Sequence, residues 1–397
     1  MISPKRALRL VLEQTPRLEP VEVPLAEAVG CVLTEPVATD MDLPPFDKSA
    51  MDGYAVRSED VGSLPTELEV TQELAAGTVP TRPVEPGACA RIMTGAPVPE
   101  GADVVVMVED TEPAGAERVR ILRAGPPGRN VCARGEDVRR GETVLAAGHT
   151  VRPAEVGLLA SVGRERVRVF RRPRVAILAT GNELVPVSAT PGPGEIRNAN
   201  SWSLAACCRR AGVACDDLGV ARDTEGDLHA QLTDGLTRDL LLVSGGVSMG
   251  RWDLVPKVFE ALGVHVHFAT VRQKPGKPTV FATHGRGVVF GLPGNPVSTL
   301  VTFRLYVLAA IRTMMGDAAP AGTPFSAVLA EPAHVRGERT TFVPATLRPE
   351  GDAWTVRPVP THGSADLVAF CRADALVPLE PGSHPEGEVV EAVPMDG

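Results

Sequence analysis

The sequence predicts a multidomain protein of the α/β and β classes, with a doubly wound, mostly parallel α/β domain at its centre. A chain of 397 residues is too long for one ordinary domain. From Arg174 onward, apolar runs alternate with helical patterns, which is the rhythm of β-α-β units that build a parallel sheet with helices on both faces. Short apolar runs between Gly and Pro turns fill residues 65–138 and the stretch after Pro320, as in small β domains.

Composition excludes several classes of protein. A net charge of −9 argues against general nucleic-acid binding. The first six residues lack the apolar core of a signal peptide, and no stretch approaches the roughly 20 apolar residues that a membrane span needs. The seven cysteines include no C-x-x-C pair, so neither a disulfide framework nor a structural zinc site is indicated. We therefore expect a cytoplasmic protein that binds neither nucleic acid nor membrane.

The N-terminal region has helical and mixed patterns. Ser3 can cap a helix over 3–13, and Pro4 suits its first turn. Further helices are expected over 25–29 and 153–162. Because residues 1–39 and 139–172 share this character, we predict that they form one mixed domain.

A small β domain is predicted as an insertion at 40–138. Prolines exclude regular structure at its start, and the stretch that ends at Val56 suggests a strand. Further strands are expected over 67–73, 88–93, 104–108 and 118–122. The Gly and Pro turns between them are typical of a small β domain.

The predicted α/β domain covers 173–320, and a C-terminal β domain covers 321–397. In the former we expect strands over 175–179, 213–220 and 240–243, and helices over 200–211, 224–236 and 253–262. Asn200 or Ser201 would cap the first of these helices. Asn295 would cap a last helix that begins at Pro296 and ends at Met315. C-terminal strands are expected over 324–330, 340–348, 354–358, 374–379 and 388–393.

Three loops of the α/β domain have the composition of an anion site. Ser244-Gly245-Gly246 directly follows a buried apolar run, and glycines there let backbone N–H groups approach an anion. Residues 274–278 (KPGKP) offer two ammonium groups on a stiff turn. Residues 291–296 (GLPGNP) precede the last helix. Since open α/β sheets bind ligands at strand ends, we interpret these loops as one rim for a phosphorylated ligand.

Carboxylates follow the same predicted strands. Glu183, Asp223 and Asp253 each follow a strand, where Mg²⁺ on a phosphate would need one or two carboxylates. Asp52 and Asp137 lie in loops of the inserted domain. Each of the five also has an ordinary structural explanation, helix capping for Asp253 and a turn before glycine for Asp52.

Seven motifs in series resemble one family. They are residues 45–55 (PFDKSAMDGYA), 91–99 (RIMTGAPVP), 135–137 (GED), 180–184 (TGNEL), 244–250 (SGGVSMG), 274–278 (KPGKP) and 291–298 (GLPGNPVS). Together they are similar to the molybdopterin molybdenumtransferases, the MoeA family, which includes the E domain of gephyrin. The resemblance spans residues 1 to about 395.

The resemblance implies an elongated four-part homodimer with a molybdopterin-binding central domain and a C-terminal β-barrel-like domain. It implies a Mg²⁺-dependent reaction in which adenylylated molybdopterin receives molybdate and AMP leaves. Transient contacts with a molybdopterin adenylyltransferase and with molybdoenzymes are left open. The adenylyltransferase activity itself, and a non-catalytic scaffold like gephyrin, remain alternatives.

The resemblance also assigns residues to roles. The molybdate pocket would comprise Lys274, Lys277, Pro278, Arg339 and Ser364. The wider functional cleft would comprise Asp52, Thr94, Asp137, Glu183, Asp223, Ser244, Gly245, Gly246, Asp253, Pro293, Asn295 and Pro296, with Asp52 and Thr94 facing the partner chain. Metal ligands would be Glu183, Asp223 and Asp253.

Three positions depart from the family pattern. Asn182 replaces an aspartate, Thr270 replaces a lysine for which Arg272 could substitute, and Ala365 replaces a histidine. These changes concern details of anion and metal binding.

Overall fold

A computed structural model describes residues 1–246 and 254–395. The chain forms two compact units, each described here by itself. The first unit comprises Met1–Thr34, Gly148–Arg152 and Val167–Gly397, and the second comprises Glu35–Ala147 and Pro153–Arg166.

The first unit is built on a central sheet that is mostly parallel, as predicted. Its strands lie side by side in the order Cys215–Ala221, Val175–Thr180, Leu240–Ser244, Gly287–Leu292, Val280–His284 and His265–Phe268. The first four strands in this order are parallel, and the last two pair antiparallel. The strand Val280–His284 was not predicted, because Thr283 and His284 interrupt its apolar run.

Helices cover both faces of this sheet, which confirms the doubly wound prediction. Val175 and Ile177 pack on one side with residues of the helices Pro4–Gln14 and Ala199–Arg210, while Ala176 and Leu178 pack on the other side with residues of Glu225–Gly235 and Val255–Ala261. Alternate residues of a strand point to opposite faces, so continuous apolar runs are what a two-sided core requires.

The longest described helix spans Pro296–Met314. It contains a π-helical turn over Phe303–Val307, between α-helical parts at Pro296–Thr302 and Leu308–Met314. The helix is long enough to cross a membrane, and its apolar stretch has a mean hydropathy of 1.3. However, 72% of that stretch is buried inside the protein, as expected for a core helix.

One of the predicted helix caps was wrong. Asn198, rather than Asn200 or Ser201, caps the helix Ala199–Arg210, and its side chain accepts from Ser201 N at 3.1 Å. Asn295 is the N-cap residue of the helix Pro296–Thr302, as predicted, although its side chain makes no capping hydrogen bond. The prediction that Asp253 begins a helix falls outside the described residues.

The C-terminal strands close into a barrel. Their order is Thr340–Glu350, Ala353–Pro358, Phe325–Leu329, Val389–Pro394 and Ala375–Leu379, and the last of these pairs with the first. Outside the barrel, Ala333–Val335 pairs with Gly382–His384, and a short helix spans Leu367–Phe370. The strand Gln273–Lys274 pairs in parallel with the barrel residues Thr340 and Thr341. The lysine loop of the central region is therefore joined to the barrel by a hydrogen-bond ladder.

The second unit contains a mixed sheet. Its strands follow the order Val104–Met107, Gly53–Val56, Ala88–Ile92, Thr66–Leu74, Arg118–Ile121 and Thr111–Pro113. The helix Pro153–Ser161 and the 3₁₀ turns Ser58–Val61 and Val108–Asp110 also belong to it. Further pairs are Lys48–Ser49 with Val131–Cys132 and Val37–Ala38 with Thr143–Leu145. The β character predicted for this part of the chain is confirmed.

Short elements complete the first unit. The strand Pro20–Pro24 pairs with Arg166–Phe170, a 3₁₀ turn spans Leu25–Glu27, and Leu184–Val185 pairs with Ile196–Arg197. Arg171 joins this region to the start of the central sheet through two hydrogen bonds to the Asp239 carboxylate, at 2.6 and 2.7 Å.

Candidate functional site

A cleft of about 930 Å³ lies within the first unit, where the carboxyl ends of the central strands meet the barrel. The sequence predicted many of the residues that line it. These are Glu183, Asp223, Ser244, Gly245, Gly246, Lys274, Lys277, Pro278, Pro293, Asn295, Pro296, Arg339 and Ser364. Of the other predicted residues, Asp52, Thr94 and Asp137 belong to the second unit, and Asp253 lies outside the described residues.

The glycine turn after Leu240–Ser244 forms the floor of the cleft beside Thr180. Gly245 and Gly246 have φ angles of +93° and +63°, and a Cβ on either would lie 2.5 Å from an oxygen of Thr180. Glycine is thus required here by both backbone conformation and space. The Thr180 hydroxyl is buried and has no hydrogen-bond partner in the described part of the chain.

Asn200 connects this turn to the loop before the long helix. Its Nδ2 donates to Ser244 Oγ at 2.9 Å and to the Gly294 carbonyl at 2.8 Å. The sequence suggested Asn200 only as a helix cap, because an asparagine at a helix start normally has that role. Nothing in local spacing connects residues 200, 244 and 294, so this positioning contact was missed.

Glu183 and Asp223 bring carboxylates to the same cleft. The capping explanation does not apply to Asp223, because Thr224 caps the helix Glu225–Gly235 through its own side chain. The Asn182 side chain, at a position of departure from the family pattern, accepts from Asp223 N at 3.3 Å. It thereby helps to orient the loop that carries Asp223.

The carboxylate oxygens of Glu183 and Asp223 are ligands of the type that Mg²⁺ prefers. This ion takes one or two carboxylates and completes its shell with phosphate oxygens and water. Within residues 1–246 and 254–395, no group of three or more His, Cys, Asp or Glu side chains is arranged to hold a metal by itself. An open site of this kind would depend on a bound phosphate for further ligands.

Three of the predicted cations line the cleft: Lys274 and Arg339 adjoin the barrel strand, and Lys277 follows in the same loop as Lys274. Lys274 and Lys277 are exposed, and neither ammonium forms an ion pair among the described residues. Arg339 donates to the Gln273 carbonyl at 3.3 Å. Thr270 stands where the family has a lysine, and Arg272 was expected to supply the missing charge. Arg272 is exposed and does not line the cleft, so the structure does not support this expectation.

Ser364 joins the barrel side to the long helix. Its hydroxyl accepts from Asn295 Nδ2 at 2.7 Å, and its carbonyl accepts from Val297 N at 3.1 Å. The N–H groups at a helix start have no partner within the helix, and the Ser364 carbonyl accepts from one of them in place of the Asn295 side chain.

Asp366 is held by backbone hydrogen bonds two residues after Ser364. Hydrogen bonds from the backbone N–H groups of His362 and Ala369 lower the pKa of Asp366 to about 2. The loop around Ala365 is held by these bonds without the usual histidine.

In the second unit, Asp52 and Thr94 contact each other. Thr94 N and Thr94 Oγ1 donate to Asp52 Oδ1 at 2.7 and 2.8 Å, and these two bonds lower the pKa of Asp52. Both side chains remain exposed. Asp137 is also exposed, and its amide donates to the Leu43 carbonyl at 3.0 Å.

Comparison with known families identifies the whole chain. Residues 2–163 match the MoeA N-terminal region (domain I and II), residues 176–313 match a profile described as "Probable molybdopterin binding domain", and residues 326–395 match the MoeA C-terminal region (domain IV). The three matches follow one another in the family order.

Individual relatives agree with these matches. The molybdopterin molybdenumtransferase of a Nostoc species is 35% identical over 396 residues, covering 96% of this chain and 91% of its own length. Molybdopterin molybdenumtransferase 2 of Mycobacterium tuberculosis is 40% identical over 343 residues, covering 83% of this chain and 84% of its own length. A crystal structure of the molybdopterin biosynthesis protein MoeA from Pyrococcus horikoshii superposes with a TM-score of 0.83 at 30% identity, covering 99% of both chains. The chain therefore belongs to the MoeA family of molybdopterin molybdenumtransferases.

Proposed function

We propose that this chain inserts molybdate into adenylylated molybdopterin and releases AMP, with Mg²⁺ bound beside the phosphate. Membership of the family makes the chain an enzyme of molybdenum cofactor biosynthesis. The observation that supports the finer proposal is the distribution of charge in one cleft. Lys274 pairs with the barrel strand that Arg339 precedes, and Lys277 follows in the same loop. Glu183 and Asp223 follow the ends of central strands, and all five residues line the cleft.

The cationic part of the cleft suits a tetrahedral dianion. Lys274 and Lys277 both line the cleft, and their like charges repel each other. Molybdate bound between them would remove that repulsion. Arg339 and the Ser364 hydroxyl supply directional donors, which an oxyanion accepts in charge-assisted hydrogen bonds.

The other part of the cleft suits a nucleoside phosphate. The turn at Gly245 and Gly246 exposes backbone where no Cβ intervenes, and Ser244 is held in place by Asn200. Glu183 and Asp223 would hold Mg²⁺, which neutralises phosphate charge when bound. The two dithiolene thiols of the substrate form the new bonds to molybdenum, and their protons leave with one molybdate oxygen as water. A second water cleaves the phosphoanhydride bond and releases AMP, so the cleft needs no nucleophilic side chain.

The variant Lys274→Ala tests the assignment of the oxyanion site. We expect the KM for molybdate to rise about tenfold to a hundredfold, because a charge-assisted contact is lost. The Kd of the nucleotide substrate should change little. Steady-state kinetics with each substrate varied, together with equilibrium dialysis of molybdate, measures both effects.

Lys5→Ala is the matched control, because Lys5 is exposed on the helix Pro4–Gln14, away from the cleft. Equal losses for molybdate and nucleotide in Lys274→Ala would assign Lys274 to a phosphate instead. Efficient transfer of AMP from ATP to molybdopterin by the wild-type protein would favour the adenylyltransferase alternative. A protein that binds neither substrate would favour a scaffold.

A further inference from the structure

A buried polar network lies directly beneath the lysine loop at 274–278. Gln273 is fully buried at the start of the loop, and its Nε2 donates to the Pro275 carbonyl at 3.0 Å. Its Oε1 accepts a hydrogen bond from the Tyr306 hydroxyl. One amide side chain therefore connects the loop to the long helix.

The tyrosine fixes the orientation of this amide. Tyr306 is only 1% exposed, and burial raises the pKa of its phenol, so the hydroxyl remains protonated and can donate. An amide that accepts at Oε1 must present Nε2 on its other side, toward Pro275. Loss of the hydroxyl would leave a buried acceptor without its donor and remove the reason for this orientation.

The π-helical turn places the tyrosine at this position. Tyr306 lies within Phe303–Val307, where Leu308 N donates to the Phe303 carbonyl, five residues back. Such turns are rare and frequently occur at functional sites. This turn lies in a buried helix beside the cleft rather than at a helix end.

A second buried contact reaches the middle of the loop. Thr279 Oγ1 donates to the Gly276 carbonyl at 2.7 Å and lies 3.3 Å from Thr302 Oγ1 on the same long helix. Gly276 has a φ of +93°, and a Cβ there would lie 2.7 Å from Gln273 Nε2. The backbone of the loop is thus packed closely on the network.

The same glutamine also contacts the arginine of the cleft. Arg339 Nη1 donates to the Gln273 carbonyl, and Arg339 directly precedes the barrel strand that pairs with Gln273–Lys274. Displacement of Gln273 would consequently change the spacing of Lys274, Lys277 and Arg339.

We propose that Tyr306 and Gln273 are positioning residues for the oxyanion site: the tyrosine orients the glutamine, and the glutamine sets the geometry of the lysine loop and Arg339. This inference rests on the proposed function, because it takes molybdate as the anion. Neither residue touches the ligand in this scheme.

The test uses the full chain with Tyr306→Phe, which keeps the ring and removes the hydroxyl. We expect the Kd of molybdate from equilibrium dialysis, and its KM, to rise roughly five- to tenfold. The kcat at saturating molybdate should stay within about twofold, and the KM of the nucleotide substrate should be unchanged. In a Gln273→Met background, Tyr306→Phe should have no further effect on molybdate affinity, because the two residues act in series.

Thr313→Val is the matched control, since it removes a hydroxyl from the same helix that donates to the Ala309 carbonyl. It should lower the melting temperature without changing molybdate affinity. A Tyr306→Phe variant that binds molybdate like the wild type, or effects that simply add in the double variant, overturns this inference alone. A wild-type protein that binds no molybdate overturns the proposed function and this inference with it.

Discussion

The Asp52 carboxylate, in the second unit, is charged and oriented by one neighbouring residue. Two hydrogen bonds from Thr94 favour the ionised form, and they lower the pKa of Asp52 although the side chain is exposed. Only one of these bonds comes from the Thr94 side chain. The other comes from the backbone and survives any substitution there except proline.

Thr94→Val therefore provides a pH test of the role proposed for Asp52. Removing the hydroxyl raises the pKa of Asp52 toward its ordinary value, so the acid limb of the pH profile of kcat/KM should move to higher pH. Thr111→Val, which removes a hydroxyl bonded to the Val108 carbonyl, should leave the limb in place. An unchanged profile in Thr94→Val would show that ionisation of Asp52 does not limit the reaction.

Among the structural elements, the loop at 274–278 combines a left-handed glycine with close packing. Gly276→Ala should lower the free energy of unfolding by about 3 kcal/mol, from backbone strain and from overlap with Gln273 and Thr302. Gly351→Ala is the control, because Gly351 has a φ of +60° with nothing within 4 Å of a Cβ, so about 1 kcal/mol is expected. Urea denaturation of both variants measures the difference. Equal losses would mean that the loop can shift to accept the methyl group.

Helices and strands could be predicted from sequence where the pattern of apolar residues was clear. The apolar run 240–243 leads into a glycine turn and indicates a buried strand, so the residues after it were expected at a sheet edge. For this reason the loops of the cleft were found. Asn295 is the N-cap residue of the long helix, as predicted, but the hydrogen bond from its Nδ2 to Ser364 has no local sequence signal. The contact between Tyr306 and Gln273 spans 33 residues and follows from a π turn that has no local sequence signal.

For the whole molecule, the family resemblance predicts a homodimer in which Asp52 and Thr94 of one chain complete the cleft of its partner. An equal mixture of Asp52→Ala and Lys274→Ala chains, unfolded and refolded together, should then regain about a quarter of wild-type activity at molybdate concentrations far below the KM of Lys274→Ala. Half of the dimers would be mixed, each with one intact site of two. Size-exclusion chromatography checks assembly, and turnover checks complementation.

The control for this experiment mixes Lys274→Ala with Arg339→Ala, two changes in the same unit of the chain. This pair should not recover, because each cleft would still lack one of its cations. Recovery in both mixtures, or in neither, would contradict a cleft completed by the partner chain.

The ladder between Gln273–Lys274 and the barrel strand Thr340–Glu350 limits how this enzyme can admit a large substrate. The same loop is also bonded to the long helix of the central core, through Gln273 with Tyr306 and through Thr279 with Thr302. A movement of the barrel away from the central sheet would therefore have to break one of these two attachments. We expect a bulky pterin to enter by movement of exposed side chains, while the backbone of the oxyanion site keeps its shape at every turnover.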